Sequence, residues 1–79
     1  MEGKVTLYGS ETCNWCTRTR AFLKEHKVKF NDVDVGRNEK KAMEMIKKSG
    51  QQGIPVIEIG KEIVIGFNEE KLKKALKIK

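Results

Sequence analysis

Two runs rich in β-branched residues, Val56-Ile57-Glu58-Ile59 and Glu62-Ile63-Val64-Ile65, are joined by Gly60-Lys61 alone. So short a link commits the runs to an antiparallel hairpin, with glycine supplying the positive φ that the turn needs. The remaining chain must furnish the sheet that the hairpin joins. Val5-Thr6-Leu7-Tyr8 alternates with period two and reads as a strand, and Gly9 to Thr12 is turn chemistry. Asn14 to about His26 reads as a helix, with Cys16, Thr19, Phe22, Leu23 and His26 on one stripe. Lys27 to Val35 holds a second strand. Its apolar residues Val28, Phe30, Val33 and Val35 slip in phase between Phe30 and Val33, which a bulge or a late start to the strand would explain. Asn38 caps a helix running to Ser49, with Ala42, Met45 and Ile46 inward and Gly50 ending it. Asn68 caps a last helix that carries Glu69 and Glu70 in its first turn and lysines in its last, both suited to the helix dipole. Leu72, Ala75 and Leu76 face inward. The order is β-α-β-α-β-β-α. Its strand-helix-strand opening implies a parallel pair with a right-handed crossover. The predicted fold is α/β: a mixed four-stranded sheet with three helices on its faces.

Composition narrows the classes. A chain of 79 residues allows one domain, spanning 1–79. Apolar residues recur at regular spacing and the chain has one Pro and seven Gly, which argues against disorder. No apolar run approaches the ~18 residues of a membrane span. Met1-Glu2-Gly3-Lys4 leads straight into the first strand with no apolar stretch of a secretory signal, so a soluble cytoplasmic protein is expected. The formal charge is +6. The lysines lie along all three helical segments beside glutamates, and Lys71 to Lys79 reads as an amphipathic helix end. This is a solvated face, or else a patch that steers anionic partners such as an acidic protein surface. Nucleic acid fits poorly: the only Tyr and Trp lie near the cysteines, and no recognised binding motif is present.

The chemistry sits in Cys13-Asn14-Trp15-Cys16, where the first strand hands over to the first helix. A secreted scaffold of this size normally carries four or more cysteines spread along the chain. Two kept three positions apart suggest redox or metal chemistry. Cys13 falls at the helix N-cap, facing the free N–H groups of the first turn, and those donors together with the dipole favour thiolate over thiol. Cys16 lies one turn in, near enough to close a disulfide and partly covered by the helix. Cys13 therefore attacks a substrate disulfide and Cys16, or an outside thiol, resolves the mixed disulfide. Two other readings stay open: an inert pair, and a zinc site. Zinc wants four ligands, and the only other candidate is His26 at the far end of the helix, so such a site would be shared across a dimer. Ile54-Pro55 just before a strand is a second signal. A cis bond there would leave the Ile54 backbone free for an extended peptide, although a trans turn is commoner.

Taken together, Val5-Thr6-Leu7-Tyr8, Cys13-Asn14-Trp15-Cys16, Gly53-Ile54-Pro55-Val56 and Gly66-Phe67-Asn68-Glu69 resemble a glutaredoxin, a compact member of the thioredoxin superfamily, over nearly the whole chain. The resemblance implies a thioredoxin-like fold and a cis Pro55 beside Cys13. It implies a monomer with no bound cofactor or metal, using glutathione as reducing cosubstrate and acting on disulfide-containing proteins. It also implies a glutathione groove. There the Ile54 backbone pairs with the glutathione cysteine. Asn68 and Glu69 offer helix N–H groups to the γ-glutamyl carboxylate. Gln52 lies near the glycyl carboxylate, Trp15 flanks the groove, and Thr12 and Pro55 complete the contacts. Tyr8, Asn14, Gly66 and Phe67 are supporting positions. Each has a plainer alternative: Trp15 as an exposed aromatic, Gln52 as loop filler, Asn68 as a cap only, Tyr8 as packing, Thr12 as a turn residue and His26 as a helix end. Four positions depart from the family's pattern. Asn14 and Trp15 stand where Pro and Tyr are usual, Ser10 stands where a Lys often precedes the first Cys, Ile65-Gly66 replaces a Gly pair, and Glu69 takes the place of an Asp. The run from Gly66 to Leu72 is also similar to glutaredoxin-like redoxins that serve ribonucleotide reductase and draw electrons from thioredoxin reductase. A dimeric metal or iron–sulfur module is the reading from another class.

Overall fold

A computed structural model describes residues 4–77. The expectations placed on Met1 to Gly3 and on Ile78-Lys79 lie outside the described residues. Strand β1 (Val5–Gly9), helix α1 (Asn14–Glu25), strand β2 (Asn31–Asp34), helix α2 (Glu39–Ser49), strands β3 (Val56–Ile59) and β4 (Glu62–Ile65) and helix α3 (Glu69–Leu76) follow one another in the predicted order. They form one sheet of order β2-β1-β3-β4. β1 pairs parallel with β2 and antiparallel with β3, and β3 with β4 is the hairpin read from Gly60-Lys61.

The two central strands alternate, and each face collects its own core. Val5, Leu7, Ile57, Ile59 and Val64 point to one side, where Phe22 and Leu23 of α1 and Leu72 of α3 cover them. Tyr8 and Val56 point to the other, against Met45 of α2, with Val33, Val35, Ile54 and Ile63 around them. The first cluster holds eight buried apolar residues and the second three, so the first face contributes the larger share of the burial energy.

The phase slip before β2 has a definite cause. The amide of Val28 donates to the carbonyl of Leu23 at 2.8 Å, and Lys27 turns the chain at φ 58°. Val28 and Phe30 thus stay against the α1–α3 core, and the ladder begins only at Asn31. The strand starts late; there is no need for a bulge.

The caps are as expected. Asn38 and Asn68 each accept a backbone amide, from Lys41 and Lys71 respectively, both at 3.1 Å, and Gly50 closes α2 at φ 76°. Replacing Asn68 by Ala is expected to lower unfolding stability by about 1 kcal/mol, because eight-residue α3 loses the side-chain cap of its N-terminus. Urea titration checks this, and a change below a few tenths would show that the cap contributes little.

One inward assignment is corrected. Ile46 is exposed, while Met45 is buried. α2 is rotated so that Met45 meets Tyr8 and Val56 while Lys48 reaches Glu58 at 2.9 Å. Ile46 stands about 100° round the helix from Met45 and so falls at the rim. The same rotation builds a polar clasp. Lys48 Nζ also donates to the Tyr8 hydroxyl, which donates in turn to Glu44, both at 3.3 Å.

Candidate functional site

β1 ends at Gly9, and the chain climbs through a turn at Glu11-Thr12 into α1. Cys13 is the N-cap of that helix, with extended backbone (φ −86°, ψ 117°), and its Sγ accepts the amide of Cys16 at 3.2 Å. The sulfur thus occupies the place of a capping oxygen, at the positive end of the helix. Cys13 is half-buried and Cys16 is fully enclosed, 0% exposed. Both are free thiols.

Cys16 can be enclosed because Gly9 has no side chain. A Cβ at that position would lie 2.6 Å from Cys16 Sγ and 3.1 Å from Cys16 Cβ. Glycine in a strand often marks such a close approach. Burial and the hydrogen bond with Cys13 push the Cys16 thiol up to about 11, against smaller opposing effects of the Ser10 backbone and Arg20. At neutral pH it therefore keeps its proton while Cys13 is the sulfur that a substrate can reach.

The opposite wall is the loop before β3. The Ile54-Pro55 peptide is cis, as the resemblance implies. Tyr8 faces Val56 in the antiparallel register, so Pro55 falls at the end of β1 where Gly9 and Cys16 lie. The Ile54 backbone precedes the β3 ladder and stands outside it. Gln51 braces this loop from within. Its side chain accepts the Gly53 amide at 2.7 Å and donates to the Gly53 carbonyl at 2.9 Å. Gln52 points outward and is exposed. The Gly66 amide donates to the Pro55 carbonyl at 2.8 Å, with Gly66 at φ 79°, and this ties the entry of α3 to the same loop.

The third wall is aromatic. Trp15 is 54% exposed and its ring lies 6.3 Å from Phe67, which in turn meets Phe22 edge-on at 5.9 Å. The Arg18 guanidinium covers the Trp15 ring at 5.0 Å. Asn68 and Glu69 are exposed at the start of α3. Thr12 is exposed, its hydroxyl 3.5 Å from that of Ser10, and Asn14 is the exposed first residue of α1.

Most of the residues singled out in the sequence therefore gather at one end of the sheet. Tyr8 does not. It is buried under α2, and its hydroxyl is spent on Glu44 and Lys48, which is the packing alternative. His26 sits against the Phe22 ring at 4.4 Å, at the C-terminal end of α1. Among the described residues, no group of three or more His, Cys, Asp or Glu is placed to hold a metal ion. No helix among them is long and apolar enough to cross a membrane. A broad concavity lined by Lys4, Phe30, Lys74 and Leu76 lies at the other end of the molecule, away from the cysteines.

Three residues around the site carried no sequence signal: Gly9, Gln51 and Arg20. Gly9 looks like an ordinary turn residue, and Gln51 like loop filler. Arg20 lies one turn beyond Cys16 in an unremarked basic stretch. The approach of β1 to α1 shows what Gly9 and Arg20 do, and the bonds to Gly53 within the loop before β3 show what Gln51 does.

Comparison with known proteins agrees with this geometry. The family description that matches, Glutaredoxin, spans residues 5–64. A Clostridium pasteurianum protein described as an uncharacterized glutaredoxin-like 8.6 kDa protein in the rubredoxin operon is 38% identical over 72 residues, 91% of this chain and 96% of the relative. Glutaredoxin 3 of Escherichia coli K12 is 35% identical over 65 residues, 82% and 78% of the two chains. A Lactococcus lactis glutaredoxin-like protein NrdH is 27% identical over 70 residues, 89% and 96% of the two. Among solved structures, a glutaredoxin from Archaeoglobus fulgidus superposes with a TM-score of 0.88 at 34% identity, covering 94% of this chain and 86% of the other.

Proposed function

The chain belongs to the glutaredoxin family, a thioredoxin-fold redox protein with the pair Cys13 and Cys16, and on that footing we propose that it is a dithiol oxidoreductase recharged by glutathione. Its substrates are protein disulfides and mixed disulfides of proteins with glutathione. The observation that carries this reading is the asymmetry of the pair: one sulfur half-exposed at a helix N-cap, the other enclosed one turn behind, where burial pushes its thiol up.

In the reaction, the Cys13 thiolate attacks one sulfur of the substrate disulfide. A Cys13–substrate disulfide forms, and the other sulfur leaves with the electron pair and is protonated. Cys16 then releases a protein substrate by closing Cys13–Cys16, and two glutathione thiols restore the dithiol and leave as glutathione disulfide. For a glutathione mixed disulfide, a second glutathione can replace Cys16. Glutathione would lie along the Ile54 backbone as an added strand. Its γ-glutamyl carboxylate would meet the first turn of α3 at Asn68 and Glu69, and its glycyl end would run toward Gln52. Thr12, Trp15 and Pro55 would flank it, with Gly66 and Phe67 holding the wall. The reading includes a single domain over 1–79, acting as a cytoplasmic monomer without a bound metal.

The test is a titration of the Cys13–Cys16 disulfide with glutathione, followed by Trp15 emission and mass spectrometry. Fast exchange through a Cys13–glutathione adduct is expected. A protein that dithiothreitol reduces but glutathione does not would favour a second reading, a redoxin fed by thioredoxin reductase and donating to a partner such as ribonucleotide reductase. The motive for that reading is Ser10, where many glutaredoxins place a basic residue, together with the Gly66-Phe67 approach to α3.

A further inference from the structure

Behind the enclosed sulfur lies a charged pair that the exchange reaction, as derived above, does not use. Arg20 is on α1 four residues after Cys16, and so on the same side of the helix. Its side chain is 18% exposed. Nε donates to Asp32 Oδ2 at 2.8 Å, and Nη2 donates to the Ser10 carbonyl at 3.1 Å. Nη2 lies 3.7 Å from the point beside Gly9 where a Cβ would stand, and Cys16 Sγ lies 2.6 Å from that same point. Asp32 is on β2, directly opposite Leu7 in the parallel ladder, so the sheet fixes where the guanidinium is held.

We propose that Arg20, held by Asp32, is the positioning residue that readies the Cys16 sulfur for the resolving step. The proposal rests on the reading of Cys13 as the attacking sulfur and Cys16 as the resolving one. In that step the Cys16 thiol gives its proton to water. The thiolate attacks the Cys13 sulfur of the Cys13–substrate disulfide, the Cys13–Cys16 bond forms, and the substrate thiolate leaves with the electron pair. Nothing is oxidised or reduced beyond that exchange.

The obstacle is the proton on Cys16, which burial and Cys13 hold in place. A fixed cation and the Ser10 backbone are the groups that pull the other way. Arg20 supplies the first directly, and its bond to the Ser10 carbonyl holds the second. Among the described residues, few other titratable groups face this sulfur. Cys13 comes from its own helix cap and Asp32 from β2, while Asp34 further along β2 is engaged with the Gly36 amide and Arg37. Lys48 and Glu58 belong to the other face of the sheet.

The test separates Arg20 from the glutathione question. In a Cys13→Ser background, thiolate absorbance reports the titration of Cys16 alone, and Arg20→Met should move it upward while Arg20→Lys restores most of the wild-type curve. In the full protein, an aromatic disulfide loads Cys13 with a chromophoric thiol, and release of that thiol reports closure by Cys16. Each pH unit of upward shift lowers the thiolate fraction tenfold, and higher intrinsic nucleophilicity recovers part of this, so closure should slow roughly three- to fourfold per unit. The loading rate of Cys13 should not change. Asp32→Asn, which leaves the charge but frees it to swing away, should show a smaller shift in the same direction, and it serves if Arg20→Met does not fold. An unmoved Cys16 titration, a Lys variant that fails to rescue, or equal slowing of loading and closure would overturn the proposal. Failure of glutathione to react would count against the proposed electron donor and leave this result standing.

Discussion

Cys13→Ser is expected to remove disulfide exchange, with a loss on the order of a thousandfold or more, because a serine hydroxyl is scarcely ionised near pH 7 and the remaining thiol, Cys16, is buried. Cys16 cannot take over: it is enclosed and keeps its proton. Cys16→Ser should behave differently. Reduction of glutathione mixed disulfides should persist, since a second glutathione resolves the adduct, whereas reduction of protein disulfides should fall and the Cys13 adduct should accumulate. Steady-state assays with one substrate of each kind, and mass spectrometry of the trapped adduct, read both outcomes. An active Cys13→Ser protein alongside an inert Cys16→Ser protein would reverse the roles and sink the assignment.

Leu23→Ala is expected to be the most damaging single truncation on the cysteine-bearing helix. Leu23 is 0% exposed and packs in the cluster that holds Leu7, Phe22, Ile57 and Leu72. Truncations of this kind cost about 2–5 kcal/mol, from lost transfer energy and the cavity left behind. A domain of this size has a total stability of roughly 4–12 kcal/mol, so the loss is a large share of it. The melting temperature should drop by roughly 10–40 °C. Met43→Ala on α2, at a side chain 67% exposed, should stay within about 0.5 kcal/mol. Calorimetry of the two variants checks the contrast. A Leu23 variant as stable as the Met43 one would mean that α1 is not seated as described.

The element order and the cysteine pair were legible because each rests on local chemistry. Period-two runs, asparagine caps and the Gly60-Lys61 turn act over a few residues, and Cys13 becomes an N-cap simply by preceding a helix. What was not legible depends on elements meeting. The slip between Phe30 and Val33 had two explanations, and only the bond from Val28 to Leu23 chooses between them. Ile46 fits an inward stripe until Lys48 finds Glu58 and turns the helix. Tyr8 stands five residues before Cys13 and so invites a role in the groove. Yet strand alternation sends its ring to the opposite face from Leu7, under α2. Gly9 and Arg20 acquire their meaning from the single place where β1 passes beneath α1.

The clasp of Tyr8, Glu44, Lys48 and Glu58 also bears on how such a chain can drift in sequence. An aliphatic face like that under α1 and α3 accepts exchanges of similar volume one residue at a time. A clasp whose inner end is a buried ring is less free, since a substitution at Tyr8 removes the partner that Glu44 and Lys48 share at the solvent-facing rim. Lys48, Glu44 and Glu58 all keep some exposure, so water can replace a lost partner at each of them. Substitution across that side is therefore constrained most at Tyr8 and less at the charged rim. Epistasis should centre on Tyr8 under α2 and, behind the cysteines, on the pairs Gly9–Cys16 and Arg20–Asp32.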